Sequence, residues 1–277
     1  MKIIDGKTLA ENLRKNIANE VKQYSRPPGL AVILVGDDQA SQVYVRNKSR
    51  ACVEVGFYSD QIHKSANITQ EELLSEVQRL NDNNNIDGIL VQLPLPSHID
   101  ANEIIEAIIP EKDVDGFSSE NVGKLSLNKP FISPCTPKGV MKMLDSIKCD
   151  LRGKDCVIIG ASNIVGRPMA MEFLNAGATV QVCHKETKDI KQKTKSADII
   201  VAAAGVANLV NSEWVKEGAV IIDVGINRLE DGSMTGDVDF DDVKDVVSAI
   251  SPVPGGVGPM TIAVLLENTL TAYQAKL

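Results

Sequence analysis

Tyr44 and Lys48 stand four residues apart in a stretch with helical spacing, so their side chains share one face. A phenol beside an ammonium helps lower the pKa of each, giving a donor and acceptor pair near neutral pH. The competing reading is a solvated lysine beside a half-buried tyrosine. Gln92 closes an apolar run, Gly88 to Val91, at the edge where parallel strands open onto a ligand crevice. It either faces a ligand or bonds the Leu93-Pro94 turn. Asp113 and Asp115 lie in Asp113-Val114-Asp115-Gly116-Phe117. One of the two is a candidate acceptor for paired N–H groups of a polar heterocycle, although an Asp before Gly is also an ordinary turn former.

A second set of residues suits a phosphate. Cys156 to Ile159 is apolar and β-branched, Gly160 stops it, and Gly166 precedes an amphipathic segment, Met169 to Asn175, closed by Gly177. Strand, tight turn and helix follow one another, and a helix N-terminus emerging from such a turn favours an anion. The spacing is not G-x-G-x-x-G, because Ser162 occupies the place of the second glycine. The next strand, Ala178 to Cys183, ends in His184-Lys185, where a basic residue favours the 2′-phosphate of NADP. Glu186, one position further, keeps NAD open. A third stretch, residues 252–259, holds three prolines and three glycines in eight positions. It is expected to be neither helix nor central strand, and its exposed amides read as a binding loop.

The elements that must position these groups alternate. Residues 8 to 23 read as a helix, Leu30 to Val35 as a buried strand, and Ala40 to Val55 as a helix closed by Gly56. Phe57 to His63 is a strand; Thr69 with Glu72 forms a capping box ahead of a helix to Leu80; Gly88 to Gln92 is a strand. The alternation restarts at Cys156, with strands at 178–183, 198–203 and 219–224. Thr136 to Cys149 is the linking helix, and Met260 to Lys276 is a final helix with a broad apolar face that must dock, here placed against the first domain. Right-handed βαβ units follow, and with them parallel sheets.

At 277 residues one large or two moderate domains are expected. A formal charge of −8 argues against a nucleic-acid surface or an anionic membrane as partner. No run of about 18 apolar residues occurs, and the opening Met1-Lys2-Ile3-Ile4-Asp5-Gly6 lacks the apolar core of a secretory signal. Five cysteines without a CxxC pair read as reduced, mostly buried thiols of a cytosolic protein. The three histidines are scattered, so no metal site is expected.

Taken together, these stretches closely resemble the bifunctional methylenetetrahydrofolate dehydrogenase/cyclohydrolase family. The matching motifs are Tyr44-Val45-Arg46-Asn47-Lys48, Val91 to Pro96, Lys112 to Gly116, Pro134 to Pro137, Gly160 to Met169, and Pro252 to Thr261. They run in family order along nearly the whole chain. The resemblance implies an α/β fold of two α/β domains with a cleft between them, the second a Rossmann-type dinucleotide-binding domain. Residues 1–135 with 260–277 would form the folate-binding catalytic domain, and 136–259 the NADP-binding domain. It implies oxidation of 5,10-methylenetetrahydrofolate to the 5,10-methenyl compound with NADP, then hydrolysis to 10-formyltetrahydrofolate. Rival readings are a monofunctional NAD-dependent dehydrogenase of the same family and a shikimate-type dehydrogenase.

By the same resemblance Lys48 is the essential cyclohydrolase lysine, its pKa lowered by desolvation, with Gln92 and Tyr44 as partners, and Asp115 holds the pterin ring. Val91, Leu93 and the segment Pro254, Gly255, Gly256, Val257, Gly258, Pro259, Met260, Thr261 and Ile262 contact substrate. Gly160, Ala161, Ser162 and Ile226 contact the cofactor, and Lys185 is inferred for the 2′-phosphate. Many relatives carry arginine where this chain has Ala161, which leaves phosphate recognition to Lys185 and Ser162. A homodimer in the cytoplasm is implied as well.

Overall fold

A computed structural model describes all 277 residues, Met1–Leu277. The elements in chain order are β1 (Lys2–Ile3), α1 (Gly6–Val21), β2 (Gly29–Val35), α2 (Gln39–Val55), β3 (Tyr58–Lys64), α3 (Gln70–Asn81), β4 (Gly88–Val91), α4 (Ala101–Glu106), α5 (Ser119–Ser126) and α6 (Cys135–Ser146). They continue with β5 (Asp155–Ile159), α7 (Gly166–Asn175), β6 (Thr179–Cys183), α8 (Ile190–Thr194), β7 (Ile199–Ala202), β8 (Val220–Asp223), β9 (Asn227–Arg228), β10 (Met234–Thr235), α9 (Phe240–Val243), β11 (Ala249–Ile250) and α10 (Val257–Gln274). The chain divides into two compact units: residues 11–135 with 262–277, and residues 1–10 with 136–261.

The unit of residues 11–135 and 262–277 holds a three-stranded parallel sheet in the order β3-β2-β4. β2 and β4 are buried at every residue, because helices cover such a sheet and leave no polar face. α3 supplies Leu73, Val77 and Leu80 at helical spacing to the core, against Ala31, Ile33 and Val35 of β2 and Ile89 and Val91 of β4. Each such side chain contributes about 1.5–3 kcal/mol on burial. The helix starts at the expected capping box: Thr69 Oγ1 accepts from Glu72 N (3.2 Å) and Glu72 Oε2 accepts from Thr69 N (2.9 Å). Gly56 ends α2 at φ +82°, the left-handed position that favours glycine. β3 is an edge strand, exposed at Tyr58.

The other unit is built on a six-stranded sheet, ordered β1-β11-β8-β7-β5-β6 and parallel throughout. That is a Rossmann-type arrangement, with the chain reversing direction of travel across the sheet at β5. Val157 and Ile159, Ile200 and Ala202, Ile221 and Ile250 form its core with Val210, Val215 and Val243. Residues 1–10 belong here, not with the residues that follow them as the sequence suggested: Lys2 pairs with Ala249 and Ile3 with Ile250, making β1 the sheet's edge. Both residues of β1 are exposed, so no burial pattern announced it.

Two helices begin earlier than the sequence indicated. α7 starts at Gly166 and α10 at Val257, so residues 257–259 are helical and not part of an irregular loop. Pro168 and Pro259 are the third residues of these helices, as Pro137 is of α6. The first four N–H groups of a helix have no intrahelical partner, so proline there forfeits nothing.

Candidate functional site

In the smaller-sheet unit, α2 and the end of β4 bring two of the expected residues into contact. Lys48 is only 8% exposed, and its Nζ donates to Gln92 Oε1 at 3.0 Å. Gln92 Nε2 in turn donates to Leu93 O at 2.7 Å, which orients the amide so that its oxygen faces the lysine. The bond to the Leu93-Pro94 turn is therefore made, and the amide oxygen is turned to Lys48. Tyr44 lies one turn earlier on α2 and is 36% exposed. Partial burial pushes its phenol above the ordinary value, against the expected lowering by its neighbour.

Asp115 is positioned by a well-bonded turn. Ile89 N donates to Lys112 O at 2.8 Å, which lays the segment beside β4. Lys112 Nζ is buried and donates to the carbonyls of Leu80 (2.9 Å), Asn81 (2.6 Å) and Asn83 (2.9 Å) at the end of α3. Asp113 accepts from Gly116 N (3.0 Å), Ser118 N (2.8 Å) and Asn121 Nδ2 (2.9 Å). It is thus the turn former, and Asp115 is left for other work. Burial pushes the Asp115 carboxyl up; Lys48 pulls it down, Asp113 pushes it further up, and a bond with Cys135 lowers it. A buried lysine, an amide between strand and turn, and the Asp115 carboxyl that burial has raised suit proton handling at a nitrogen heterocycle.

What braces this turn comes from far along the chain. Asn268, fully buried in α10, donates through Nδ2 to Val114 O and Ser133 O, both at 2.9 Å. Cys135 Sγ donates to Val114 O at 3.2 Å. An asparagine within the apolar run Leu265-Leu266-Glu267-Asn268 was the one available signal, since a buried amide needs partners. Of the other expected contacts, Val91 is packed in the core and Leu93 is half-buried.

In the six-stranded unit the glycine turn sits at the C-terminal end of β5. A Cβ on Gly160, whose φ is +125°, would strike the carbonyl of Ala203, and one on Gly166 would strike the carbonyl of Gly160. Only glycine permits these approaches. Ser162 Oγ accepts from Val165 N at 3.2 Å, and no side chain caps the start of α7. Ser162 and Lys185 are exposed, Ala161 half-buried, and Ile226 44% exposed. Arg167, not anticipated, donates through Nε to Ala161 O at 3.2 Å and brings a guanidinium to the turn. A close-packed glycine backbone, an uncapped helix start and nearby cations fit the phosphates of a dinucleotide.

The segment Pro254 to Thr261 groups with this unit and Ile262 with the other. Lys7 N donates to Gly255 O (2.9 Å), Gly256 packs against Gly6, and Thr136 Oγ1 bonds Thr261 Oγ1 (2.9 Å). Gly256, Val257 and Met260 are buried, Pro254 is exposed, and Gly255, Gly258, Pro259, Thr261 and Ile262 are intermediate.

The fold and these two groups of residues define a two-unit α/β enzyme of the dinucleotide-dependent class. A family model described as the tetrahydrofolate dehydrogenase/cyclohydrolase catalytic domain matches residues 4–115, and one described as its NAD(P)-binding domain matches residues 134–277. The chain belongs to the tetrahydrofolate dehydrogenase/cyclohydrolase family. It is 62% identical to the bifunctional protein FolD of Ruthia magnifica subsp. Calyptogena magnifica over the full length of both chains. The crystal structure of the bifunctional FolD enzyme of Campylobacter jejuni superposes with a TM-score of 0.98, at 54% identity and complete coverage of both chains. The Trypanosoma brucei methylenetetrahydrofolate dehydrogenase-cyclohydrolase, complexed with NADP cofactor and inhibitor, gives a TM-score of 0.95 at 41% identity, covering 99% of this chain and 97% of that one.

Proposed function

We propose that the chain is a bifunctional one-carbon folate enzyme. It oxidises 5,10-methylenetetrahydrofolate to 5,10-methenyltetrahydrofolate with NADP and hydrolyses the product to 10-formyltetrahydrofolate. Residues 11–135 with 262–277 supply folate binding and proton chemistry, and residues 136–261 bind the dinucleotide. NADP, when bound, supplies the hydride acceptor. Gly160, Ala161, Ser162 and Ile226 hold it, with Lys185 and Arg167 as the cations available to its 2′-phosphate. The oxidation asks for positioning more than for acid or base, since the folate nitrogens carry the developing amidinium.

The observation that carries the reading is the Lys48 Nζ to Gln92 Oε1 bond of 3.0 Å, on a lysine 8% exposed. Gln92 occupies one of the three ammonium protons, so two remain for water or a folate nitrogen. In the hydrolysis, water adds to the methenyl carbon and one carbon–nitrogen bond breaks. One proton of the added water leaves to solvent and the other must reach the departing nitrogen; Lys48 hydrogen-bonds the developing oxygen and relays that proton, with Tyr44 one turn away on α2. Asp115 holds the pterin through paired N–H bonds. The identity to relatives named as bifunctional, together with Lys48, disfavours the single-activity and shikimate-type alternatives.

The test is a spectrophotometric assay with methylenetetrahydrofolate and each nicotinamide cofactor at equal concentration. NADP-dependent formation of the methenyl chromophore, followed by its decay, is expected. A tenfold preference for NAD, about 1.4 kcal/mol, would reject the cofactor assignment. A homodimer in the cytoplasm completes the proposal. Supporting it, the β3 edge is unpaired within its sheet, and Val53 (71% exposed) and Tyr58 (49%) lie on α2 and β3. Sedimentation of the purified protein at the monomer mass would reject the dimer.

A further inference from the structure

Two buried carboxylates at the C-terminal edge of the six-stranded sheet have no part in the chemistry above. Asp223 ends β8 and is 3% exposed; Asp237 follows β10 and is fully buried. Buried carboxylates are tolerated when their oxygens are hydrogen-bonded. Asp237 accepts from three successive backbone amides, Ala204 (2.6 Å), Gly205 (2.8 Å) and Val206 (3.0 Å), and from Asn227 Nδ2 (2.8 Å). Asp223 accepts from the amides of Gly225, Asp237 and Val238, each at 3.0 Å. One carboxylate therefore holds the loop after β7, the other holds the loop after β8, and the Asp237 amide joins them. The fit needs glycine, because a Cβ on Gly225 would strike Asp237 and one on Gly236 would strike Asp223.

What these loops present is a pair of apolar side chains. Val206 is 50% exposed and Ile226 is 44% exposed, although Val206 N is bonded to Asp237 and the residues either side of Ile226 are held through Gly225 N and Asn227 Nδ2. The loop after β7 also abuts the glycine turn, since the Ala203 carbonyl is the atom that bars a side chain at Gly160. Ligands of open parallel sheets bind at this edge. Large apolar side chains held outward at that edge by buried carboxyl groups are available to the rings of a ligand there.

We propose that Asp223 and Asp237 are positioning residues for the dinucleotide: they fix the backbone of residues 204–206 and 225–227 so that Val206 and Ile226 form the apolar seat for its rings. The proposal rests on the dehydrogenase reading above. A purely architectural role would weaken the whole protein and leave the dinucleotide affinity of the folded fraction unchanged. A positioning role acts on dinucleotide affinity and leaves the hydrolysis of the methenyl compound alone, because that step uses no dinucleotide.

The experiment is Asp237→Asn, which keeps the shape but leaves one oxygen for four donors. Three quantities are measured: the Kd for NADP by calorimetry, the dehydrogenase KM and kcat, and methenyl hydrolysis without dinucleotide. A tenfold or greater rise in Kd and KM is expected, with hydrolysis within twofold of the parent. An unchanged Kd, or both activities falling together with the melting temperature, would overturn the proposal. Should that variant fail to fold, Asn227→Ala removes only the side-chain donor. It is expected to raise the Kd at least threefold with hydrolysis unchanged, and an unchanged Kd would refute the role. A parent protein that hydrolyses the methenyl compound but neither binds nor reduces NADP would instead strike down the dehydrogenase reading, and the seat with it.

Discussion

Lys48→Met separates the two activities if the proton chemistry is assigned correctly. Methionine matches the lysine in length and removes the charge. The loss to folding is small by the geometry. Lys48 makes one side-chain hydrogen bond, to Gln92, and an electrostatic pairing with Asp115; a hydrogen bond from a charged group is worth about 1.5–3 kcal/mol, and shedding a nearly buried ammonium offsets much of that. Gln92 is itself partly exposed, so water replaces the missing donor. A net change within about 1 kcal/mol moves the melting temperature by roughly 2–4 °C. The catalytic loss is larger: positioned acid–base groups supply about 10²–10⁴-fold, equivalent to roughly 3–5 kcal/mol of barrier. Hydride transfer, which draws on positioning, should fall less than about tenfold, an allowance set by the loss of one polar contact. The assay follows the decay of methenyl absorbance in the absence of dinucleotide, and its build-up when methylenetetrahydrofolate is oxidised. The variant should accumulate the methenyl compound. Hydrolysis within about threefold of the parent, a difference worth less than 1 kcal/mol, would refute the assignment.

Three further outcomes follow from the same geometry. Asp115→Asn removes a carboxyl whose pKa burial has raised, so the melting temperature at pH 7 should hold or rise while the KM for folate increases in both steps; an unchanged KM would exclude contact with the pterin. Gly166→Ala sets a methyl against the Gly160 carbonyl and should raise the KM for NADP while sparing methenyl hydrolysis, which steady-state kinetics with each substrate would show. Asp87 contributes to acid stability: burial pushes its carboxyl up, but Arg26, the Gly29 amide and Lys276 outweigh burial and hold the pKa below the ordinary 3.8. The unfolded chain therefore takes up the proton first as pH falls. The stabilisation is complete above about pH 4 and is lost below it, so Asp87→Asn should lower the melting temperature at pH 7 and flatten its decline in acid. A parallel acid profile in parent and variant would contradict this.

Much of the architecture could be read from residue order because its signals are local. The buried runs of β2 and β5, the Thr69–Glu72 box and Gly56 each depend on neighbours within one turn or strand. The early starts of α7 and α10 were hidden because glycine and proline read as breakers, while the first turn of a helix tolerates both. Of the lysine, glutamine and aspartate group, the types and positions were evident and the division of labour was not. Asp113 and Asp115 share one motif, and only the three donors around Asp113 mark it as the anchor. The roles of Asn268 and Asp237 are not legible locally, because the carbonyls that Asn268 serves lie more than 130 positions away and the backbone amides that Asp237 holds lie more than 30 away.

The pairing of Lys2 with Ala249 also bears on how the protein is made. A ribosome emits β1 ahead of the rest of its sheet, and its hydrogen-bonding partner follows roughly 250 residues afterwards, about 12–50 s at ordinary elongation speeds. Until then the opening strand must wait unpaired while other segments collapse around it. A fragment cut at residue 136 would lack that strand altogether and leave the backbone of β11 open along one side. Attempts to isolate the dinucleotide unit should therefore carry the first ten residues, tethered to its new beginning.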